Sequence, residues 1–277
     1  MGPDFCCIGA QKGGTGWLYE QLRFHPDFWM PPVKELHYFD RLWRSPRRPT
    51  EERVRGARKN ARDERDRVFL DEMEDLLAHP EIDMAGYAKL FAPKGSLLSG
   101  DITPGYSTLP EEIIERIVGE FGGLKVLFLA RDPVERVWSH LSMWIRHGRI
   151  KPFDVTDVEQ VSQNLLRPEV LVRSHPSKIA ARWRRYVKED LFRLYFFDDL
   201  KRTPAELRHS IIEFLGGDSS KRSGELAVDH NSKAKLEKLE LTDEVRAHIA
   251  RFFEHELKAC AAELGGAARE WPSRYGL

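Results

Sequence analysis

The sequence is poor in the features that mark several functional classes. It has three cysteines, Cys6, Cys7 and Cys260. They form neither a disulfide framework nor a metal-ligand spacing, so a disulfide-stapled fold and a structural zinc site are both excluded as expectations. Lys plus Arg and Asp plus Glu number 44 each, so there is no excess charge of either sign. A general nucleic-acid binder would carry a basic surplus. Apolar runs are short throughout, and neither a signal peptide nor a membrane span is legible. The chain has no internal repeat or low-complexity linker, and it lacks the Gly-Lys-Ser/Thr that closes a nucleoside-triphosphate P-loop. A cytoplasmic enzyme with reduced thiols is the expectation, and 277 residues fit one α/β domain.

The chain is organised around its start. Phe5 to Ile8 is a short apolar run that reads as a buried strand. A glycine-rich turn with one lysine follows, and then Trp17, Leu18, Gln21 and Leu22 recur at helical spacing. Strand, glycine loop and helix in that order make an anion site, because helix-start N–H groups and the helix dipole favour negative charge. Glycines let the backbone approach the anion, and Lys12 adds a full charge. A tight strand-to-helix turn with a surface lysine is the plainer reading of the same residues.

A second anion element follows a second buried strand. Leu124 to Ala130 is apolar almost throughout, as a central parallel strand should be. It runs into Arg131-Asp132-Pro133, with Pro133 placed for the first turn of a helix. Arg131 leaves the carboxyl end of the strand, and Ser139 lies about two turns along the helix. Such an Arg and Ser can share one phosphate; an Arg–Asp cap beside an exposed serine is the alternative.

Between these elements, Met30-Pro31-Pro32 stops the first helix, and Lys34, Glu35, His37 and Asp40 crowd beside Tyr38 and Phe39. A carboxylate or imidazole near aromatic bulk can serve as a base. Residues 41–95 read as a helical insertion: charged helices over Glu51 to Leu77 and another over Asp83 to Phe91. It is either a solvated face or a lid whose arginines meet an anionic acceptor. Ser96 to Asp101 suggests a further parallel strand, and Asp101 reads evenly as an acid/base or a turn-forming carboxylate ahead of Pro104. Farther on, helices are predicted over Pro152 to Leu166, Arg173 to Val187 and Leu241 to Leu264, with a strand over Leu191 to Phe197 and a helix ending near Gly216.

The order Gly-x-x-Lys-x-Gly-Thr after an N-terminal strand, with Arg-Asp-Pro-x-x-Arg-x-x-Ser after a later one, resembles the sulfotransferases that use 3′-phosphoadenylyl sulfate (PAPS). Gly9, Lys12, Gly14 and Thr15 take the family's positions, and the resemblance covers the core elements between residues 4 and 147. It implies that Gln11, Lys12, Gly13, Gly14, Thr15, Gly16 and Trp17 hold the 5′-phosphosulfate, and that Arg131 and Ser139 hold the 3′-phosphate. Gly16 departs from the family, which usually has a second Thr or Ser there.

Lys34 to Asp40 resembles the Glu-x-His-Phe/Tyr-Phe element of glycan-type sulfotransferases. This puts the base on Glu35, with His37 supporting or alternative. Asp101, Thr103, Pro104 and Tyr106 loosely match the family's acceptor-contacting segment. The catalytic lysine that some members place after the acid is replaced by Ile102. In the family a basic loop in the region of Lys233 and Lys235 closes over the nucleotide, which makes these two lysines candidates; a solvated loop is the alternative.

The expected fold is therefore α/β and three-layered, with a mainly parallel central sheet, a P-loop-like nucleotide site and helical insertions, in a single domain over residues 1–277. The expected activity is sulfuryl transfer from PAPS, without a metal, to a hydroxyl or amine of a small metabolite or saccharide. No nucleic-acid or membrane partner is expected. The rival expectations are a variant P-loop kinase or NTPase and a non-catalytic nucleotide binder.

Overall fold

The computed structural model describes residues 2–41, 50–224, 226–230 and 239–277. Its centre is a four-stranded sheet in the order β2-β1-β3-β4, with every pairing parallel. The strands are β1 (Phe5–Gly9), β2 (Gly100–Ile102), β3 (Lys125–Ala130) and β4 (Phe192–Phe196). β1 is buried at every residue and β3 at all but its first, because helices cover both faces of the sheet. The pairing of β1 with β3 shifts register between Cys7 and Gly9, just where the chain leaves the sheet.

Helix α1 (Thr15–Arg23) follows β1 and buries Trp17, Leu18, Gln21 and Leu22. The insertion then supplies α2 (Thr50–Arg58), α3 (Glu64–Ala78) and α4 (Met84–Lys89). Asp63 and Asp83 cap the last two, each accepting a backbone N–H from three residues on. α5 (Glu111–Glu120) buries Ile113, Ile114 and Ile117, spaced for one helix face. α6 (Pro133–Arg146) begins at Pro133, as its sequence predicts, and is capped by Asp132, whose carboxylate accepts from Val134 N–H at 2.9 Å.

Helices α7 (Val158–Leu165), α8 (Pro168–Leu171) and α9 (Pro176–Arg184) lead to β4. α10 (Phe197–Arg202) and α11 (Pro204–Leu215) follow it, and Gly216 closes α11 in the left-handed conformation. The closing segment is two helices rather than one, α12 (Asp243–Phe252) and α13 (Glu254–Glu263). The break at buried Phe253 lets α12 pack on α6 and α7 while α13 packs on α9.

The C-terminal residues cross the carboxyl ends of β3 and β4. Tyr275 Oη donates to Asp132 at 2.7 Å, Arg274 pairs with Asp198 at 2.5 Å, and Trp271 Nε1–H donates to Asp198 at 3.2 Å. Burial raises the Asp132 carboxyl to about 6, against the hydrogen bonds that favour its charged form. The start of α6, and with it Arg131, is thereby fixed from both sides.

Candidate active site

The chain turns from β1 into α1 through two left-handed residues, Lys12 at φ 73° and Gly14 at φ 98°. For Lys12 that conformation costs about 1–2 kcal/mol, a strain that local contacts must hold. Glycine is required at the next position for another reason: a Cβ on Gly13 would lie 2.4 Å from Leu129 O, so the loop rests directly on β3. Among the described residues no side chain caps α1, and its first turn has no acidic residue. Its leading N–H groups thus face the loop's mouth. Gln11 Oε1 is buried with no hydrogen-bond partner among the described residues. Thr15 is buried, and the open side of Gly16 faces only Lys34 Nζ, 3.6 Å from where a Cβ would stand.

The side chain of Trp17 ties a distant segment to the start of α1. Its indole N–H donates to Val228 O at 2.6 Å, and Gln21 Nε2 donates to Ala227 O at 3.0 Å. These bonds fasten residues 226–230 onto α1. Lys233 and Lys235 lie outside the described residues.

Arg131 reaches the same loop from β3. Its Nη1–H donates to Lys12 O at 2.8 Å, its Nη2–H donates to Glu135 at 2.9 Å, and its guanidinium lies 4.3 Å over the Phe197 ring. Its Nε is buried with no hydrogen-bond partner among the described residues. Arg131 does not form a cap with Asp132, which is occupied at the start of α6. Ser139 sits partly exposed on α6. Arg136, five residues on from Arg131, is fully buried against Ser174, Val170 O and His140, and so belongs to packing.

The Glu35 segment is held in an unusual shape. Glu35 and His37 are both left-handed, at φ 61° and 53°. His37 Nδ1 lies 2.9 Å from the Asp40 carboxylate and its Nε2 lies 3.4 Å from Glu35. Lys34 Nζ is 3.5 Å from Glu35, and Arg53 of α2 donates to Glu35 O at 2.9 Å. Burial works against the charged form of Glu35. The hydrogen bond from His37 and the charges of Lys34, His37 and Arg53 outweigh it and hold the carboxyl down at about 2.

Asp101 stands behind this segment. It is 1% exposed and accepts hydroxyl hydrogen bonds from Thr103 at 2.6 Å, Tyr106 at 2.7 Å and Tyr87 at 3.0 Å. Two of those hydroxyl oxygens accept in turn from the segment's backbone: Tyr106 Oη from Tyr38 N–H at 3.1 Å, and Thr103 Oγ1 from His37 N–H at 3.5 Å. A Cβ on Gly105 would lie 2.3 Å from Asp40 Oδ2. Glycine there is what lets Asp40 reach His37.

In the sequence Lys34 and Asp40 stand out only as titratable neighbours of Glu35. Gly105 acts through a contact across elements, against Asp40, and so leaves no local pattern, whereas Glu135 stands four residues after Arg131 at ordinary ion-pair spacing. For Gly105 the sequence signal is the glycine itself, between Pro104 and Tyr106.

Comparison with known proteins identifies the family and the fold. Residues 3–220 match the family model described as the sulfotransferase family. The whole chain overlays a sulfotransferase from Alicyclobacillus acidocaldarius, with a TM-score of 0.70 at 18% identity, covering 98% of this chain and 99% of that one. It also resembles the sulfotransferase domain of the Synechococcus PCC 7002 olefin synthase, with a TM-score of 0.57 at 16% identity, covering 99% and 94%. In sequence, 180 residues are 24% identical to the membrane-associated sulfotransferase kil1 of Dictyostelium discoideum, covering 62% of this chain and 30% of that protein's length. Among the described residues no helix is long and apolar enough to cross a membrane. With its parallel α/β sheet, its glycine-lysine loop and its match over most of its length, the chain belongs to the sulfotransferase family.

Proposed function

We propose that the protein transfers a sulfuryl group from PAPS to a hydroxyl or amine of a small metabolite or saccharide. The observation that carries this reading is the bond from Arg131 Nη1–H to Lys12 O, which joins two anion-binding elements at the ends of adjacent parallel strands. One such element suits many phosphates; two side by side suit a nucleotide with charge at both its 5′ and 3′ positions. The uncapped start of α1 and the unpartnered Arg131 Nε fit an anionic ligand at this place. When bound, PAPS supplies the sulfuryl group.

In this reading Lys12 and the Gly13–Trp17 amides bind the 5′ end, and Arg131 and Ser139 bind the 3′-phosphate. Lys34 lies against the open side of Gly16. Glu35 accepts the acceptor's proton. His37, set between Glu35 and Asp40, orients it, and His37 is the alternative base. Asp101 is a positioning residue, because its carboxylate is enclosed by three hydroxyl donors. Residues 1–277 act as one unit, with the 41–95 insertion forming a wall of the acceptor site.

The test is selective loss of 3′-phosphate recognition. Arg131→Ala is expected to weaken 3′,5′-ADP by tenfold or more while changing 5′-AMP little, since a charge-assisted hydrogen bond contributes about 1.5–3 kcal/mol. Equal weakening of both nucleotides would overturn the assignment.

A further inference from the structure

A cavity of 510 Å³ lies between the C-terminal end of α1, the segment before Glu35 and one face of α2. Four cations line it, Arg23, Lys34, Arg53 and Arg62, against one carboxylate, Asp66. That carboxylate is already consumed: Arg62 grips both its oxygens, at 2.8 and 2.7 Å, and Arg62 N–H adds a third bond at 2.9 Å. Lys34 and Arg53 also lean on Glu35 at the cavity's edge, at 3.5 and 3.9 Å. Three cations therefore remain against the single charge of Glu35, and the cavity is net positive.

Its wall is open by construction. Arg53, Gly56 and Ala57 recur at the spacing of one face of α2, and Asn60 lies just past its end. A Cβ on Gly56 would meet nothing within 4 Å. Glycine in a helix interior costs helix stability, and here it leaves room in the cavity. Pro32 and Val33 give an apolar side.

We propose that this cavity seats an anionic group carried by the acceptor itself, a carboxylate, sulfate or phosphate on the molecule whose hydroxyl or amine is sulfated. The inference rests on the sulfuryl-transfer reading and narrows its substrate class. An anion among Arg23, Lys34 and Arg53 leaves the rest of the acceptor against Glu35, because two of those cations touch that residue. A neutral acceptor would leave the positive cavity uncompensated. The anion's contribution is electrostatic, so it weakens as salt rises.

The experiment uses the full chain saturated with 3′,5′-ADP, so that the Lys12 and Arg131 sites are filled. It is titrated with 4-hydroxybenzoate, 4-hydroxyphenyl phosphate and neutral 4-hydroxybenzyl alcohol. The anions are expected to bind at least tenfold more tightly than the alcohol, and the two anions separate carboxylate from phosphate preference. Arg23→Glu is expected to erase that preference, and Gly56→Leu to weaken all three ligands by filling the space; 3′,5′-ADP affinity in each variant reports that the fold is intact. Equal binding of anion and alcohol, undetectable binding of both, or a preference that survives Arg23→Glu overturns the proposal. If 3′,5′-ADP itself does not bind the wild-type protein, the nucleotide reading fails instead.

Discussion

Replacing Asp101 by asparagine separates a positioning carboxylate from an acid or base. Oδ1 accepts from Thr103, and Oδ2 accepts from both Tyr106 and Tyr87. Asparagine keeps one acceptor oxygen. Its best placement leaves that oxygen on the two tyrosines and turns the amide toward Thr103 Oγ1, whose hydroxyl must then rotate away. Hydrogen bonds to a charged group contribute about 1.5–3 kcal/mol and neutral ones about 0.5–1.5 kcal/mol. Three weakened bonds thus cost about 3 kcal/mol, offset in part because burial disfavours the Asp101 charge and raises its carboxyl.

The expected net loss is about 1–3 kcal/mol, or a fall in Tm of about 2–5 °C for a chain of this size. Thr103 and Tyr106 hold the His37 and Tyr38 backbone, so kcat should fall about tenfold as the segment loosens. The shape of the pH profile should stay the same, and 3′,5′-ADP affinity should be unchanged. Thermal unfolding and steady-state kinetics across pH measure all of this. A fall in kcat of a thousandfold or more with unchanged Tm and a lost limb of the pH profile would refute the reasoning and make Asp101 the acid/base.

Two further outcomes follow from the same segment. Gly105→Ala places a Cβ against Asp40 and should break its bond to His37, costing about 1.5–3 kcal/mol of stability with a lower kcat and unchanged 3′,5′-ADP affinity; wild-type kinetics would show that the bond does not matter. Glu35 is held at about 2 against an ordinary 4.5, so its stabilising contribution is complete above 4.5 and disappears as pH falls through 2. The full shift corresponds to about 3 kcal/mol, reduced to about 1–2 kcal/mol because the side chain is 28% exposed. Urea unfolding at pH 5 and pH 3 should show wild type losing more stability than Glu35→Gln, and identical losses would contradict the ion cluster.

The parts of the fold that were legible are those governed by local pattern. β1, β3, α1 and α6 follow from apolar runs, helical spacing, glycine turns and Pro133, and they appear where that pattern puts them. The closing helix was less legible, because the break at Phe253 is imposed by burial against separate partners. In the site, Lys12 and Arg131 each read as anion ligands from their place after a strand, but their mutual bond depends on β1 and β3 being neighbours. Asp101 was ambiguous for the same reason: its donors include Tyr87, which comes from α4. Trp17 reads as a helix residue and, by the resemblance, as a nucleotide contact, but the bond from its indole N–H to Val228, more than two hundred residues away, leaves no local pattern.

The central claim is tested most directly by incubating the protein with PAPS labelled in its sulfuryl group and a panel of acceptor extracts. The expected result is label on an acceptor with one 3′,5′-ADP released per sulfated product, abolished by Lys12→Ala. Near-normal turnover in Lys12→Ala, or magnesium-dependent phosphoryl transfer from ATP in place of sulfation, would contradict it.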